Sequence, residues 1–239
     1  MEQQAIIEVK GLQKSFGSFE AVKNVTFTVN KGDVFGFLGP NGAGKSTTMR
    51  CMLSLIKPNA GDIRIFGKNL FEERNAILAK VGSIVEKPDF YKYLSALKNL
   101  EIFARISGAD VRQKAIYETL DFVGLLGREK DKVGGFSHGM RQRLGIAQTL
   151  LHQPELIILD EPTAGVDVEL RRSMWEFLKE INQQGTTIIL TTHYLEEAES
   201  LCRNIAIIDH GTIVKNTSIK ALLKQLNRET FIFDTRQEL

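Results

Sequence analysis

The chain has 239 residues, of which 43% are hydrophobic and 25% are charged. This composition predicts a folded globular protein of one large or two small domains and excludes a disordered chain. The 31 basic and 29 acidic residues are spread along the sequence and give a formal net charge of +2, so no nucleic-acid partner is predicted. No apolar run approaches the roughly eighteen residues of a membrane helix, and the basic-then-apolar start of a signal peptide is missing, so a cytosolic chain is expected. Cys51 and Cys202 form no C-x-x-C pair and are interpreted as small buried side chains.

The first part of the chain, residues 5–38, is predicted to form strands. Apolar and polar residues alternate in 7–10 and 25–30, which indicates a half-exposed antiparallel sheet. Phe16 lies between these strands in a segment typical of a turn, and its spacing alone favours a core position. The apolar run 34–38 is typical of a buried strand.

A glycine-rich segment follows that strand and fits the phosphate-binding pattern G-x-x-x-x-G-K-[ST]. Its residues are Gly39, Pro40, Asn41, Gly42, Ala43, Gly44, Lys45, Ser46 and Thr47, and we call it the phosphate loop. Its backbone N–H groups and the helix predicted over about 45–56 direct positive charge at a phosphate. Lys45 supplies a cation for the β- and γ-phosphates, and Ser46 supplies a hydroxyl for Mg2+. The alternative, a glycine-rich hairpin turn, requires alternating strands on both sides, whereas here a buried strand leads in and an amphipathic helix leads out.

Strand alternation resumes at 62–67, and a short apolar strand is predicted at 81–85. The apolar period then changes from two to about 3.6, with separate stripes in 97–106, 116–123 and 140–151. Three consecutive helices inside an α/β chain predict an inserted helical subdomain at roughly 87–153.

Two carboxylates follow the apolar strand 156–159, at the sheet edge where open α/β folds place ligands. Asp160 is suited to holding Mg2+ and Glu161 to polarising an attacking water, although either alone would also fit a helix cap. A second buried strand, 187–191, ends near His193, and a strand–helix–strand crossover is expected to bring both ends to the phosphate loop. His193 is therefore interpreted as a γ-phosphate contact rather than as a structural histidine. The tail predicts strands at 205–208, 213–214 and 231–233 and a helix at 219–226.

With these motifs the chain resembles the ATP-binding cassette (ABC) family of transporter ATPases over about residues 5–215. Residues 136–140, Phe-Ser-His-Gly-Met, are similar to the family's L-S-G-G-Q signature segment and keep Ser137 and Gly139. Residues 164–167 resemble its D-loop, and residues 191–193 resemble its switch histidine. The resemblance makes Phe16 an adenine-stacking residue. Glu86 stands where the family usually has a glutamine that senses Mg2+ and couples to the membrane partner.

The resemblance implies an α/β fold, with a P-loop NTPase core of the ABC type, an N-terminal antiparallel β subdomain and an inserted α-helical subdomain. The ATP-binding domain is expected over 5–215 and a C-terminal extension over 216–239. ATP and Mg2+ are the implied cofactors. A homodimer, or a pair of ABC subunits, is expected to sandwich two ATP molecules head to tail, with Ser137 and Gly139 acting on the partner's nucleotide.

The implied function is ATP hydrolysis that powers export through separate integral membrane permease subunits, at the inner face of the cell membrane. Residues 84–88 and 136–145 are similar to bacterial multidrug, bacitracin-resistance and lantibiotic-immunity exporters. One alternative is a soluble ABC ATPase acting on DNA or ribosomes, but coiled-coil insertions, zinc cysteines and basic arms are missing from the sequence. Another alternative is a non-hydrolysing ATP-gated scaffold. The joint presence of Lys45, Asp160, Glu161 and His193 argues against that scaffold.

Overall fold

The computed structural model describes residues 4–85, 88–108 and 112–226. The strands of these residues are β1 (Ala5–Phe16), β2 (Phe19–Asn30), β3 (Val34–Leu38), β4 (Ala60–Ile65), β5 (Lys68–Asn69), β6 (Val81–Ile84), β7 (Leu156–Asp160), β8 (Thr187–Thr192), β9 (Asn204–Asp209) and β10 (Thr212–Ser218). The helices are α1 (Lys45–Met52), α2 (Arg74–Leu78), α3 (Ala96–Ile106), α4 (Gln113–Phe122), α5 (His138–Leu150), α6 (Val168–Gln183), α7 (Leu195–Leu201) and α8 (Ile219–Leu226).

The strands form two sheets. Four of them make an antiparallel sheet in the order β2-β1-β4-β5, in which β1 pairs with both β2 and β4. The other six make a sheet in the order β10-β9-β3-β8-β7-β6, parallel except for the antiparallel pair of β9 and β10. The predicted N-terminal antiparallel sheet and the predicted parallel crossover are therefore confirmed.

The parallel sheet is buried on both faces, which explains why its strands are continuous apolar runs. Phe35 and Phe37 of β3 pack on one face with α1 and the antiparallel sheet, where their rings contact Phe27. Ile157 and Leu159 of β7 point to the other face and pack with the helices. The period of two along each strand thus divides its side chains between two cores.

The helical subdomain follows β6, as the change in period predicted. Ser95 caps α3 by accepting a hydrogen bond from the backbone N–H of Lys98, at 3.2 Å. Helix α5 packs closely on β6, because Gly82 allows a contact that a Cβ would block at 2.8 Å from the carbonyl oxygen of Thr149. This packing joins the helical subdomain to the edge of the parallel sheet.

The prediction of the first helix is too long. Helix α1 ends at Met52 rather than near residue 56, and Ser54 has a left-handed φ of 55° that stops the helical geometry. The short helices α2 and α7 were not predicted, because one or two turns give too little periodicity to detect. The strand predicted at 231–233 lies outside the described residues.

Candidate active site

Three parallel strands end at one edge of the six-stranded sheet, and their ends carry the predicted site residues. Leu38, the last residue of β3, pairs with Thr192, and Asp160 of β7 pairs with Thr191. The phosphate loop therefore begins beside the strand ends that lead into Glu161 and His193. This convergence confirms what the crossover rule predicted.

Two glycines of the phosphate loop cannot be replaced without displacing backbone. A Cβ on Gly39 would lie 2.2 Å from the carbonyl oxygen of Ile208 on β9. Gly44 has φ +106°, and its Cβ would lie 2.5 Å from the carbonyl oxygen of Ala21. The loop is thus packed between β2 and β9, with Gly44 at the N-cap of α1. Thr48 bonds back to the Gly44 carbonyl at 2.9 Å and closes the first turn.

Lys45 is buried, with only 4% of its side chain exposed. Its Nζ donates to the carbonyl oxygens of Gly39 at 2.8 Å and Pro40 at 3.1 Å. The same ammonium lies 3.4 Å from Oε1 of Glu161. His193 reaches that oxygen from the other strand, with 3.3 Å between Nδ1 and Oε1. Because an ionised carboxylate only accepts, this contact has the Nδ1–H of His193 as donor.

Thr191 links the carboxylate of Asp160 to the backbone of Glu161, a role that sequence reasoning missed. Its hydroxyl donates to Oδ1 of Asp160 and accepts from the backbone N–H of Glu161 at 2.9 Å. Thr191 is fully buried within β8. The available signal was a run of hydroxyl side chains at the end of an otherwise apolar strand, since a buried hydroxyl needs a partner.

Asp160 and Glu161 border a cavity of about 850 Å3 between the phosphate loop and the helical subdomain, whereas Lys45, Thr191 and His193 are not part of its lining. It is lined by Asn41, Gly42, Ser46, Ile84, Pro88, Asp89, His138, Gln142, Ile146, Asp160, Glu161, Pro162, Ala164 and Met174. The hydroxyl of Ser46 and the carboxylate of Asp160 are oxygen donors of the kind that Mg2+ prefers. A glycine cradle with a buried ammonium beside these donors fits a nucleotide polyphosphate with its metal.

A second cavity, of about 670 Å3, lies between α4 and the start of β8. Its lining includes Lys31, Phe122, Pro154, Glu155 and Ile181, and none of the predicted site residues. Its side chains carry no arrangement suited to phosphate chemistry, so the site is assigned to the larger cavity.

The core position that spacing favoured for Phe16 is wrong. Phe16 ends β1 and is 51% exposed, because the chain turns at Gly17, with φ +60°, before any strand covers the ring. Nζ of Lys14 lies 5.0 Å from the ring centroid, and this lysine also donates to the carbonyl oxygen of Lys57 at 2.9 Å. Phe16 does not line the 850 Å3 cavity. An exposed ring held at one point is compatible with stacking on a base.

The signature segment lies at the start of α5, in the helical subdomain. Ser137 is the N-cap, and its Oγ accepts from the N–H of Met140 at 3.2 Å. A Cβ on Gly139 would lie 2.0 Å from Cδ2 of Leu170, so this glycine also permits close packing of α5 on α6. His138 lines the cavity and lies 3.5 Å from the carbonyl oxygen of Ala164.

Glu86, the predicted metal-sensing position, lies outside the described residues. The two cysteines are buried as predicted, and burial raises the pKa of the Cys51 thiol to about 11. Neither cysteine lines the 850 Å3 cavity.

Comparison with known proteins decides the family. The sequence pattern of the ABC transporter family matches residues 22–164, more than half of the chain. The chain belongs to the ABC transporter family. The bacitracin transport ATP-binding protein of Bacillus licheniformis is 46% identical over 232 residues, covering 95% of this chain and 74% of that protein. The Nod factor export ATP-binding protein I of Rhizobium sp. (strain N33) is 37% identical, covering 92% of this chain and 73% of that protein.

The fold agrees with that of solved ABC proteins. The structure of an ATP-binding subunit of an ABC transporter superposes with a TM-score of 0.81 and 30% identity, covering 93% of each chain. This chain is thus an ATP-binding, ATP-hydrolysing ABC subunit of the exporter type. The alternative of a DNA- or ribosome-associated ATPase finds no support among these relatives. Among the described residues, no helix is both long enough and apolar enough to span a bilayer.

Proposed function

We propose that this ABC subunit hydrolyses ATP at the edge of its parallel sheet, with Glu161 and His193 as the catalytic pair. The observation that carries this proposal is the convergence of Lys45 and His193 on one carboxylate oxygen of Glu161, at 3.4 and 3.3 Å. These three groups come from the ends of three different strands or the loops that follow them. An ammonium, a carboxylate and an imidazole that meet beside a glycine-rich loop form an arrangement typical of a catalytic site.

Each residue has a distinct task in this proposal. The backbone N–H groups of residues 39–47 and the ammonium of Lys45 bind the phosphates. Glu161 accepts a hydrogen bond from the attacking water and orients it, while His193 contacts the γ-phosphate. Phe16 stacks on the adenine.

Ser46 and Asp160 would hold Mg2+, and Glu86 would bind it through its water shell. The metal supplies charge neutralisation at the phosphate oxygens when it is bound. Thr191 keeps the Asp160 carboxylate oriented by its hydroxyl, which leaves Oδ2 for the metal or its water. This arrangement is supported by the joint presence of Ser46 and Asp160 in the lining of one cavity.

We infer that the working unit is a homodimer or a pair of ABC subunits around two ATP molecules. Ser137 is exposed at the N-terminus of α5, where it and the backbone N–H groups of the first turn suit an anion. A nucleotide bound to a second copy arranged head to tail would supply the anion for this site on α5. Each copy would then close the other's nucleotide site through Ser137 and Gly139.

The membrane partners are proposed to be permease subunits that contact the segment near Tyr91 and Tyr93. These tyrosines are 44% and 69% exposed, and their ring centroids lie 6.0 Å apart. Exposed aromatic side chains are enriched at protein interfaces. The subunit would then act in the cytoplasm at the inner face of the membrane.

The division into an ATP-binding domain of 5–215 and an extension of 216–239 stays a prediction.

The substitution Glu161→Gln tests the catalytic assignment. It keeps the side-chain shape but removes the carboxylate that orients the water, so turnover should fall by about 100-fold or more while ATP affinity is retained. The trapped ATP state should appear as a dimer in light scattering, whereas Glu155→Gln, at an exposed position just before β7, should behave as wild type. Wild-type turnover of Glu161→Gln would refute the assignment of Glu161, and a monomer in the presence of ATP would refute the paired site.

A further inference from the structure

A buried carboxylate joins the two segments that carry Glu161 and His193. Glu197 lies on α7 and is only 1% exposed. Its Oε1 accepts from Oγ1 of Thr163 at 2.7 Å and from Nε1 of Trp175 at 3.1 Å. Thr163 follows Glu161 by two residues, and α7 begins two residues after His193. One buried oxygen therefore connects both catalytic segments to α6, which carries Trp175.

The burial of these groups makes the connection sensitive to each partner. Thr163 is also 1% exposed, and Trp175 is 6% exposed. A buried carboxylate is tolerated when donors satisfy it, and hydrogen bonds to a charged acceptor are stronger than neutral ones. Loss of the Thr163 hydroxyl would leave Glu197 with one donor on Oε1 and would release the segment that follows Glu161.

The backbone at Glu161 needs such an anchor. Glu161 has φ 47°, a left-handed conformation that is uncommon for a residue with a Cβ. Such a conformation persists only where its surroundings hold it. The N–H of Glu161 is held by Thr191, and its carbonyl oxygen accepts from the N–H of Ala164 at 3.0 Å. Thr163 lies inside the turn that this second bond closes.

The His193 side of the connection is also held by α6. The ring of His193 packs on that of Tyr194, with centroids 4.0 Å apart, and the guanidinium carbon of Arg171 lies 4.6 Å from the Tyr194 centroid. Arg171 and Trp175 are four residues apart on α6, so they lie on one face of that helix. That face contacts Tyr194 through Arg171 and Glu197 through Trp175.

We propose that Glu197 is a positioning residue for ATP hydrolysis. Glu197 holds Thr163 from α7 and thereby keeps the turn after Glu161 and the segment of His193 at a fixed separation. The side chains of Glu161 and His193 are then directed at the same phosphate. This inference rests on the roles proposed above for Glu161 and His193. Displacement of a reacting group by about 1 Å is enough to lower a rate substantially.

Two substitutions separate positioning from simple stability, because they remove different donors from the same oxygen. Thr163→Val removes the bond to the turn after Glu161, and Trp175→Phe removes only the bond to α6. With ATP and Mg2+ present, Thr163→Val should lower kcat about tenfold or more with KM for ATP within about twofold. Trp175→Phe should lower the melting temperature but leave kcat within about twofold of wild type.

Conservative variants complete the test. Thr163→Ser keeps the hydroxyl and should retain kcat, and Glu197→Gln keeps an acceptor oxygen and should retain more of kcat than Glu197→Ala does.

Equal loss of kcat in Thr163→Val and Trp175→Phe would overturn the proposal in favour of a stability role. Wild-type kcat in Thr163→Val beside an inactive Glu161→Gln would overturn this inference alone. If Thr163→Val does not fold, loss of kcat in a folded Thr163→Ser would overturn it too. An active Glu161→Gln would instead refute the proposed function on which it rests.

Discussion

Lys45 shows how one residue prepares the site for phosphate. Its ammonium is buried in the phosphate loop, where two carbonyl oxygens and Oε1 of Glu161 surround it. A buried cation is stable only when such acceptors compensate for lost hydration. A phosphate group offers stronger acceptors than neutral carbonyls do, so the ammonium is poised to exchange partners.

Lys45→Ala should abolish measurable ATP binding, because the phosphates would meet the loop without this cation. Isothermal titration calorimetry provides the measurement, with folding checked by circular dichroism. Lys57→Ala is a matched control, since it removes an exposed lysine beyond α1 and should bind ATP as wild type does. ATP affinity equal to that of wild type in Lys45→Ala would contradict the assignment of the loop.

At the residue scale, sequence predicted the groups that belong to a contiguous motif. Residues 39–44 form one loop that leads into α1 at Lys45, because the spacing of the motif encodes that geometry. Spacing alone placed Phe16 in the core, and the role of Thr191 was missed, for a different reason. Exposure of Phe16 depends on which strands cover it, and the role of Thr191 depends on a neighbouring strand that is 31 residues away in sequence.

At the element scale, a buried carboxyl group lies immediately before the central strand β3. Asp33 is 4% exposed, its Oδ2 accepts from Nδ2 of Asn204 at 2.7 Å, and its Oδ1 is buried without a hydrogen-bond partner. Burial raises the pKa of Asp33, and the bond from Asn204 and the charge of Arg203 oppose that rise. The folded state therefore favours the protonated form more than the unfolded state does.

Replacing this carboxyl should make stability less dependent on pH. A group with a raised folded-state pKa contributes stability that is fully present below its unfolded pKa and is lost as pH rises through the folded pKa. Asp33→Asn keeps an acceptor oxygen for Asn204 but cannot ionise. Its melting temperature relative to wild type should therefore increase from about pH 4 to about pH 7. A difference that does not change over this range would contradict the effect of burial.

Helices and strands with a strong hydrophobic period were predictable from the sequence. Elements whose position depends on contacts with distant parts of the chain were not. The stripes of α3, α4 and α5 and the apolar runs of β7 and β8 correspond to elements of the structure. The ends of these elements depend on local chemistry, as the left-handed Ser54 beyond α1 shows. Helix α7 has only seven residues, and its buried Glu197 is explained by partners on two other segments.

At the scale of the whole molecule, we propose that the chain carries two halves of a paired nucleotide site. Asn41, Gly42 and Ser46 of the phosphate loop border the cavity with Asp160 and Glu161, and Ser137 is exposed at the start of α5. A second copy in the opposite orientation would bring each Ser137 to the other chain's nucleotide. ATP bound between two copies would then favour the dimer by mass action, and hydrolysis would release it.

The most direct test of this account mixes two inactive variants. Ser137→Arg should bind ATP but not turn it over, and Lys45→Ala should fail to bind ATP. In a mixed dimer, the phosphate loop of the Ser137→Arg chain faces the intact signature segment of the Lys45→Ala chain, which restores one complete site. An equal mixture should therefore recover about a quarter of wild-type ATPase activity, since half of the dimers are mixed and each has one of two sites intact. An equal mixture with no more activity than either variant alone would contradict the head-to-tail dimer.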